Sequence, residues 1–334
     1  MTVRVGISGV NGYGGRELLR LCLGHPAFQV AYVSGETTAG QPLRDLVPAL
    51  VGHPAGDLVV QPFIPEEVEG VDLLFASLPT GKSREPLARV PRHVKILDVG
   101  GDHRFVAGWV YGLTELPGAR EQIRGADRVA NPGCYPATAL LALAPLVANG
   151  LIEPEGIIID AKSGVSGAGR GGASAYGYAE TNEDVFAYGL LAHPHVSEMR
   201  EALSRLAGGG RRASLTFTPH LVPMTRGILA TCYGRARASL TTAQVLAVAR
   251  EFYRSEPFIR IVDAEGGRSV HSKWACGSNL AFLSYAVNEE TATVIAVGAT
   301  DNLGKGAAGQ AIQNANLMTG QPETAGLLGL PLWP

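Results

Sequence analysis

One cysteine, Cys134, lies inside Asn131-Pro132-Gly133-Cys134-Tyr135-Pro136-Ala137-Thr138, and here residue types and spacing first suggest chemistry. Asn-Pro-Gly is turn chemistry. The apolar run Ala139-Leu140-Leu141-Ala142-Leu143-Ala144 that follows reads as a helix. The sulfur is therefore expected at or near a helix N-terminus, where unpaired N–H groups and the macrodipole favour a thiolate. A thiolate there attacks a carbonyl carbon, and neighbouring backbone N–H groups receive the oxyanion. The competing reading is a buried small hydrophobe, the commoner fate of a cysteine.

A cysteine nucleophile needs a base, usually histidine. Ala192-His193-Pro194-His195 offers two imidazoles. Either His193 or His195 is a candidate acid/base, against the alternative of structural or surface histidines. A metal site is not expected: no carboxylate or cysteine cluster accompanies the pair, and Cys22, Cys134, Cys232 and Cys276 lack zinc-ligand spacing. Ala161-Lys162-Ser163-Gly164-Val165-Ser166-Gly167-Ala168-Gly169-Arg170 is a glycine- and serine-rich loop after a strand. Ser163, Ser166, Gly167 and Arg170 suit a phosphate or carboxylate, and the alternative is a flexible turn. Arg226 is either a carboxylate anchor or an ordinary surface charge.

A second chemistry is written at the start of the chain. Gly9-Val10-Asn11-Gly12-Tyr13-Gly14-Gly15 stands between a β-branched run, Val3 to Ile7, and the helical spacing of Arg16 to Leu23. Strand, glycine loop and helix in that order fit a dinucleotide pyrophosphate, with Gly9, Asn11, Gly12, Tyr13, Gly14 and Gly15 as its contacts. The next strand, Val30 to Val33, leads into Ser34-Gly35-Glu36-Thr37-Thr38. An acidic residue there holds the ribose 2′-OH of NAD, whereas NADP sites prefer arginine or serine. Ser34, Glu36 and Thr37 are thus candidate ribose contacts, Glu36 alternatively a solvated loop charge. Gly81-Lys82-Ser83 lacks the upstream glycine of a phosphate-binding loop and is not read as one.

These groups need elements to hold them. Val71 to Ala76 and Lys95 to Val99 continue the alternation of strands and helices, which argues for a parallel, doubly wound α/β sheet over the first third. Beyond Cys134 the strands lengthen: Ile157 to Ala161, Leu215 to Pro219, Gly227 to Tyr233, Leu280 to Asn288 and Thr293 to Thr300. Few helices interrupt them, chiefly Thr242 to Tyr253, so an α+β domain with antiparallel strands is expected. A small-residue helix, Gly306 to Met318, closes the pattern. A length of 334 residues suits two domains, and a net charge of −2 gives no reason to expect nucleic acid or an anionic membrane. Residues 137–152 are broken by Pro145 and Asn149, too short a run to span a bilayer, and Met1 enters a strand pattern at once without a signal peptide. The expected compartment is the cytoplasm.

Taken together, these segments resemble the N-acetyl-γ-glutamyl-phosphate reductases of arginine biosynthesis. The resemblance runs through the glycine loop with Arg16-Glu17-Leu18-Leu19-Arg20, Asp98-Val99-Gly100-Gly101-Asp102-His103-Arg104, Asn131 to Thr138 and Lys162 to Arg170. It continues through His193-Pro194-His195 with Glu198, Val222 to Gly227, Gly277-Ser278-Asn279 and Asp301 to Gln310. It implies a Rossmann-type domain of residues 1–133 with 301–334. An inserted catalytic and oligomerisation domain of residues 134–300 would be similar to the C-terminal domain of glyceraldehyde-3-phosphate dehydrogenases. It further implies NADP as cofactor, with Asn302 among its contacts, a small-molecule substrate, and a homodimer or homotetramer. Catalysis would pass through a Cys134 thioester, with His193 or His195 moving the proton. Three departures stand out. Glu36 occupies the place where the family often has arginine, which leaves NAD open; Pro194 replaces the arginine between the histidines; Gly100-Gly101 lacks the usual serine. The alternatives are the sister reductase of lysine biosynthesis, which takes a carrier-bound substrate, and a non-catalytic dinucleotide-binding sensor.

Overall fold

The computed structural model describes residues 2–170, 176–263 and 265–332. The chain divides into two compact units, Met1–Pro132 with Ala307–Leu328, and Gly133–Gly306 with Gly329–Pro334.

The first unit alternates strands and helices: β1 (Val3–Ser8), α1 (Tyr13–Leu23), β2 (Phe28–Ser34), α2 (Leu43–Leu46), β3 (Leu73–Ala76), α3 (Arg84–Arg89), β4 (Lys95–Asp98), β5 (Val110–Tyr111), α4 (Ala119–Arg124) and β6 (Arg128–Ala130). They form a six-stranded sheet in the order β2-β1-β3-β4-β6-β5, every pairing parallel. Such strands are covered on both faces, and Leu73, Leu74, Phe75 and Ala76 of β3 are all fully buried. The order reverses between β1 and β3, the switch point at which a doubly wound sheet opens a crevice. The helix Gly309–Met318 is buried along its whole length although it carries four amides. Each amide donates within the unit: Asn314 donates to Gly112 O at 2.8 Å and to Asn131 Oδ1 at 3.0 Å, and Gln310 donates to Thr114 Oγ1 at 2.9 Å. Gln313 donates to Glu115 and Asn316 to Glu323 O, so a polar helix stays interior without orphaned donors.

The second unit comprises α5 (Cys134–Ala148), β7 (Ile157–Gly164), α6 (Tyr178–Thr181), β8 (Phe186–Ala187), α7 (His195–Ala207), β9 (Leu215–Val222), β10 (Ile228–Arg235), α8 (Thr242–Phe252), β11 (Ile259–Ile261), β12 (Ala281–Asn288) and β13 (Thr293–Thr300). Its seven-stranded sheet runs β11-β12-β13-β10-β7-β9-β8. The expectation of antiparallel strands needs correction. Four pairings are antiparallel, but β7 with β9 and β11 with β12 are parallel, because the connections from β7 to β9 and from β11 to β12 each return the chain to the same end of the sheet. Helix α5 lies on one face; all residues from Tyr135 to Val147 are buried, as expected of a helix apolar all round. The opposite face presents Ile158, Leu229, Tyr233, Ile295 and Val297, partly exposed. No helix among the described residues is long and apolar enough to cross a membrane.

Candidate active site

In the first unit the glycine loop follows β1 at the switch point. Gly9 has φ +76°, and a Cβ there would fall 2.1 Å from the Ser77 carbonyl oxygen, so only glycine fits. A Cβ on Gly15 would meet Gly9 O at 2.2 Å. Gly12 is different: it is the N-cap of α1, has no side-chain cap, and keeps 3.6 Å of room around a notional Cβ. The first turn of α1 has no acidic side chain, which leaves its positive end for an anion. Tyr13, at the start of α1, is exposed. Asn11 ties this loop to the one after β2, donating to Thr37 Oγ1 at 3.1 Å and accepting from Thr38 Oγ1 at 2.7 Å. Gly14 lies on the same turn with a notional Cβ 3.1 Å from Ser77 Oγ. These residues fit a dinucleotide.

Ser34 is fully buried, and its carbonyl oxygen accepts from Gly9 N and Val10 N, so it supports the loop from beneath. Glu36 and Thr37 are exposed on a short 3₁₀ turn, Glu36–Thr38. Arg44, a further cationic side chain nearby in sequence, pairs with Asp57. The Gly81-Lys82-Ser83 segment also has its own occupant: the Asp102 carboxylate accepts from Gly81 N at 2.6 Å and Ser83 N at 2.9 Å.

In the second unit Cys134 is the first residue of α5, and Gly133 is its N-cap in extended conformation (φ −70°, ψ 159°) with no side-chain cap. Cys134 is half-buried, whereas Cys22 and Cys232 are fully buried and their thiols pushed up by desolvation. His195 opens α7, and its ring lies directly on Gly133. A Cβ on that glycine would come within 2.4 Å of His195 Nε2. One turn along α7, the buried Glu198 carboxylate accepts from Gly133 N at 2.9 Å. Helix α7 therefore grips the backbone preceding Cys134 with an imidazole and a carboxylate.

His193 sits behind His195, with ring centroids 4.7 Å apart. Its environment is aromatic: Tyr135 at 5.9 Å, Tyr188 at 5.6 Å and Phe217 at 5.3 Å, all edge-to-face. His193 Nδ1 accepts from His195 N at 3.2 Å, and burial lowers its pKa to about 4, so it is neutral near pH 7. The box is itself hydrogen-bonded, Tyr188 Oη donating to Tyr135 Oη at 3.2 Å and Tyr135 Oη to His220 O at 3.0 Å. Burial pushes Tyr188 up to about 12.

The remaining sequence candidates are distributed unevenly. Ser163 is buried and donates to Gly164 O at 3.0 Å; Ser166 is buried and accepts from Asn302 Nδ2 at 2.9 Å. Gly167 and Arg170 are exposed. Arg226 Nε donates to both carboxylate oxygens of Asp301, at 3.2 and 2.9 Å. Asn302, expected among the cofactor contacts, belongs to the second unit and uses its amide on Ser166 and on Gly227 N, 2.7 Å away. Among the described residues no three His, Cys, Asp or Glu side chains gather to hold a metal. Glu198 had a sequence signal, its i+3 spacing from His195, but the meaning of that spacing depends on α7 existing.

Two family models match most of the chain. Residues 4–126 match the model of the semialdehyde dehydrogenase NAD-binding domain, and residues 134–302 that of the semialdehyde dehydrogenase dimerisation domain. An N-acetyl-gamma-glutamyl-phosphate reductase of a Bradyrhizobium species is 56% identical over the full length of both chains. One from a Methylobacterium species is 57% identical, again over the full length of both. Among solved structures, an aspartate semialdehyde dehydrogenase II from Vibrio cholerae shares the fold at a TM-score of 0.76 and 18% identity, covering 96% of this chain and 98% of that one. An aspartate semialdehyde dehydrogenase with NADP from Candida albicans aligns at a TM-score of 0.74 and 16% identity, covering 95% and 99%.

Proposed function

The chain belongs to the N-acetyl-γ-glutamyl-phosphate reductase family, and from that premise we propose that it reduces N-acetyl-γ-glutamyl phosphate to N-acetylglutamate 5-semialdehyde and phosphate through a thioester on Cys134. The observation that carries the reading is the half-buried thiol at the first residue of α5 with the His195 ring on the residue before it. The relatives' name favours this substrate over the carrier-bound one of the lysine pathway, and a half-buried thiol beside an imidazole argues against a non-catalytic sensor.

His195 is the acid/base. It takes the Cys134 proton, and the thiolate, at the positive end of α5, attacks the acyl carbon. Phosphate departs with the C–O bond electrons, leaving the acyl group on sulfur. When bound, reduced nicotinamide supplies the hydride. Protonated His195 then serves the collapse that releases aldehyde and restores the thiol. His193, kept neutral by its aromatic box, holds the His195 backbone in place rather than moving protons.

The dinucleotide is held by Gly12, Gly14 and the first turn of α1. NADP is the preferred form on family grounds; Thr37 and Thr38, on the turn after β2, would be the residues to hold a 2′-phosphate, with the exposed Glu36 beside them in sequence. The half-exposed apolar face of the second sheet supports homo-oligomer formation through this unit, as a homodimer or a dimer of dimers. The free thiol the chemistry requires supports a cytoplasmic setting.

Mass spectrometry of protein mixed with acyl phosphate in the absence of reduced cofactor tests the intermediate. The acyl mass should appear on the peptide containing Cys134. Its appearance elsewhere, or nowhere under conditions that support turnover, contradicts the proposal.

A further inference from the structure

The segment from Asp301 to Gly306 sends almost every side chain inward. Asp301, Asn302, Gly304, Lys305 and Gly306 are buried. The Asp301 carboxylate accepts from Leu303 N at 2.8 Å, Gly304 N at 3.1 Å, Gly277 N and Arg226 Nε. A carboxylate receiving that many N–H groups fixes the backbone around it. Asn302 ties the turn to Gly227 and Ser166. Lys305 is fully buried with Nζ 5.5 Å from the Phe258 ring centroid. A Cβ on Gly304 would lie 2.2 Å from Ser278 O, so the turn is also pressed against backbone there.

These anchors deliver one thing to the reaction centre. Gly306 N donates to Asp301 O at 2.8 Å, and the Gly306 backbone rests on the nucleophile. A Cβ at Gly306 would stand 2.9 Å from Cys134 Cβ and 3.3 Å from Cys134 Cα. Real side chains essentially never approach so closely, and the neighbour that must give way carries the reacting sulfur.

We propose that the Asp301–Gly306 turn is a rigid backstop for the nucleophile. Gly306 is the positioning residue that sets the Cys134 side chain, and the Asp301–Arg226 pair is the clasp that holds it. This rests on the Cys134 thioacyl reading above. It also gives Arg226 and Asn302 a purpose other than contact with substrate or cofactor. A displacement of about 1 Å at a reacting atom costs about 10²-fold in rate.

The test compares Gly306→Ala, Arg226→Lys and Cys134→Ser with wild type by thermal melting, steady-state kinetics, and the pH profile of Cys134 alkylation by iodoacetamide. Gly306→Ala should lower kcat by about 10²-fold, leave both KM values within about threefold, and move the alkylation profile to higher pH. Arg226→Lys, with a longer reach to the same effect, should lower kcat by about tenfold and move the profile the same way. A folded Gly306→Ala with wild-type kcat and profile overturns the backstop. If Gly306→Ala does not fold, Arg226→Lys decides: wild-type kcat and profile there overturn it equally. Cys134→Ser separates the two readings, since turnover by that variant defeats the thioacyl chemistry, whereas an inactive Cys134→Ser beside an unaffected Gly306→Ala defeats only the backstop.

Discussion

Cys134 and His195 each open a helix, and the two starts meet at Gly133. The sequence motif around Cys134 was enough to place the sulfur at a helix start, because Asn-Pro-Gly followed by an unbroken apolar run leaves few alternatives. It did not separate the two histidines, because burial is a property of the packed chain. The separation is testable. His195→Asn should lower kcat by about 10² to 10⁴, and His193→Asn by less than about tenfold, in steady-state assays. His193 also predicts an acid-side effect on stability. Its pKa falls from 6.5 in the unfolded chain to about 4 in the fold. Between those values the unfolded state holds a proton that the native state lacks, so stability rises with pH. The contribution is complete above pH 6.5 and lost as pH falls toward 4, at most about 1.4 kcal/mol per pH unit. Urea titrations of His193→Phe at pH 5 and pH 7 should show a smaller difference than wild type; an equal difference would remove His193 from the account. At the other unit, Glu36→Ala should raise kcat/KM for NADPH relative to NADH, because a carboxylate beside Thr37 and Thr38 repels a 2′-phosphate held there. An unchanged ratio leaves Glu36 as a solvated charge.

Helix α7 is the element least visible beforehand. The sequence reading takes His193-Pro194-His195 only as a pair of imidazoles and expects no helix there, whereas Pro194 serves as the N-cap of an amphipathic helix. Short strands such as β5 and β8 were equally hidden, since two residues leave no periodicity to detect. The parallel pairs of the second sheet depend on long-range return of the chain, which no local pattern encodes. By contrast β1, α1, β12 and β13 were legible within a few residues, because buried β-branched runs and helical spacing extend far enough to be unambiguous. The value of α7 lies in Glu198. Glu198→Ala should cost about 1–3 kcal/mol by leaving the Gly133 N–H without its acceptor, and should lower kcat through a looser Cys134. Glu198→Gln keeps an acceptor oxygen and should restore most of both. Equal losses in the two variants would assign the effect to charge rather than to the grip on Gly133.

At the scale of the molecule, the chain forms two compact units, each with its own sheet, and the proposed cofactor loop falls in the first and the proposed thioacyl site in the second. The first was readable from its alternating pattern, the second as long strands with the helices α5 and α8 but without its strand order. Its open face predicts assembly. Ile158, 48% exposed in the middle of that sheet, should be covered in the oligomer. Ile158→Asp should lower the mass measured by light scattering to that of a smaller species, and an unchanged mass would place the interface elsewhere. Whether Cys134 carries the acyl group is decided by the reaction run backward. Wild-type protein given N-acetylglutamate 5-semialdehyde and NADP should produce NADPH only when phosphate is present, and Cys134→Ser should produce none while still binding the cofactor. Reduction by Cys134→Ser within tenfold of the wild-type rate, or a wild-type rate indifferent to phosphate, would contradict the account.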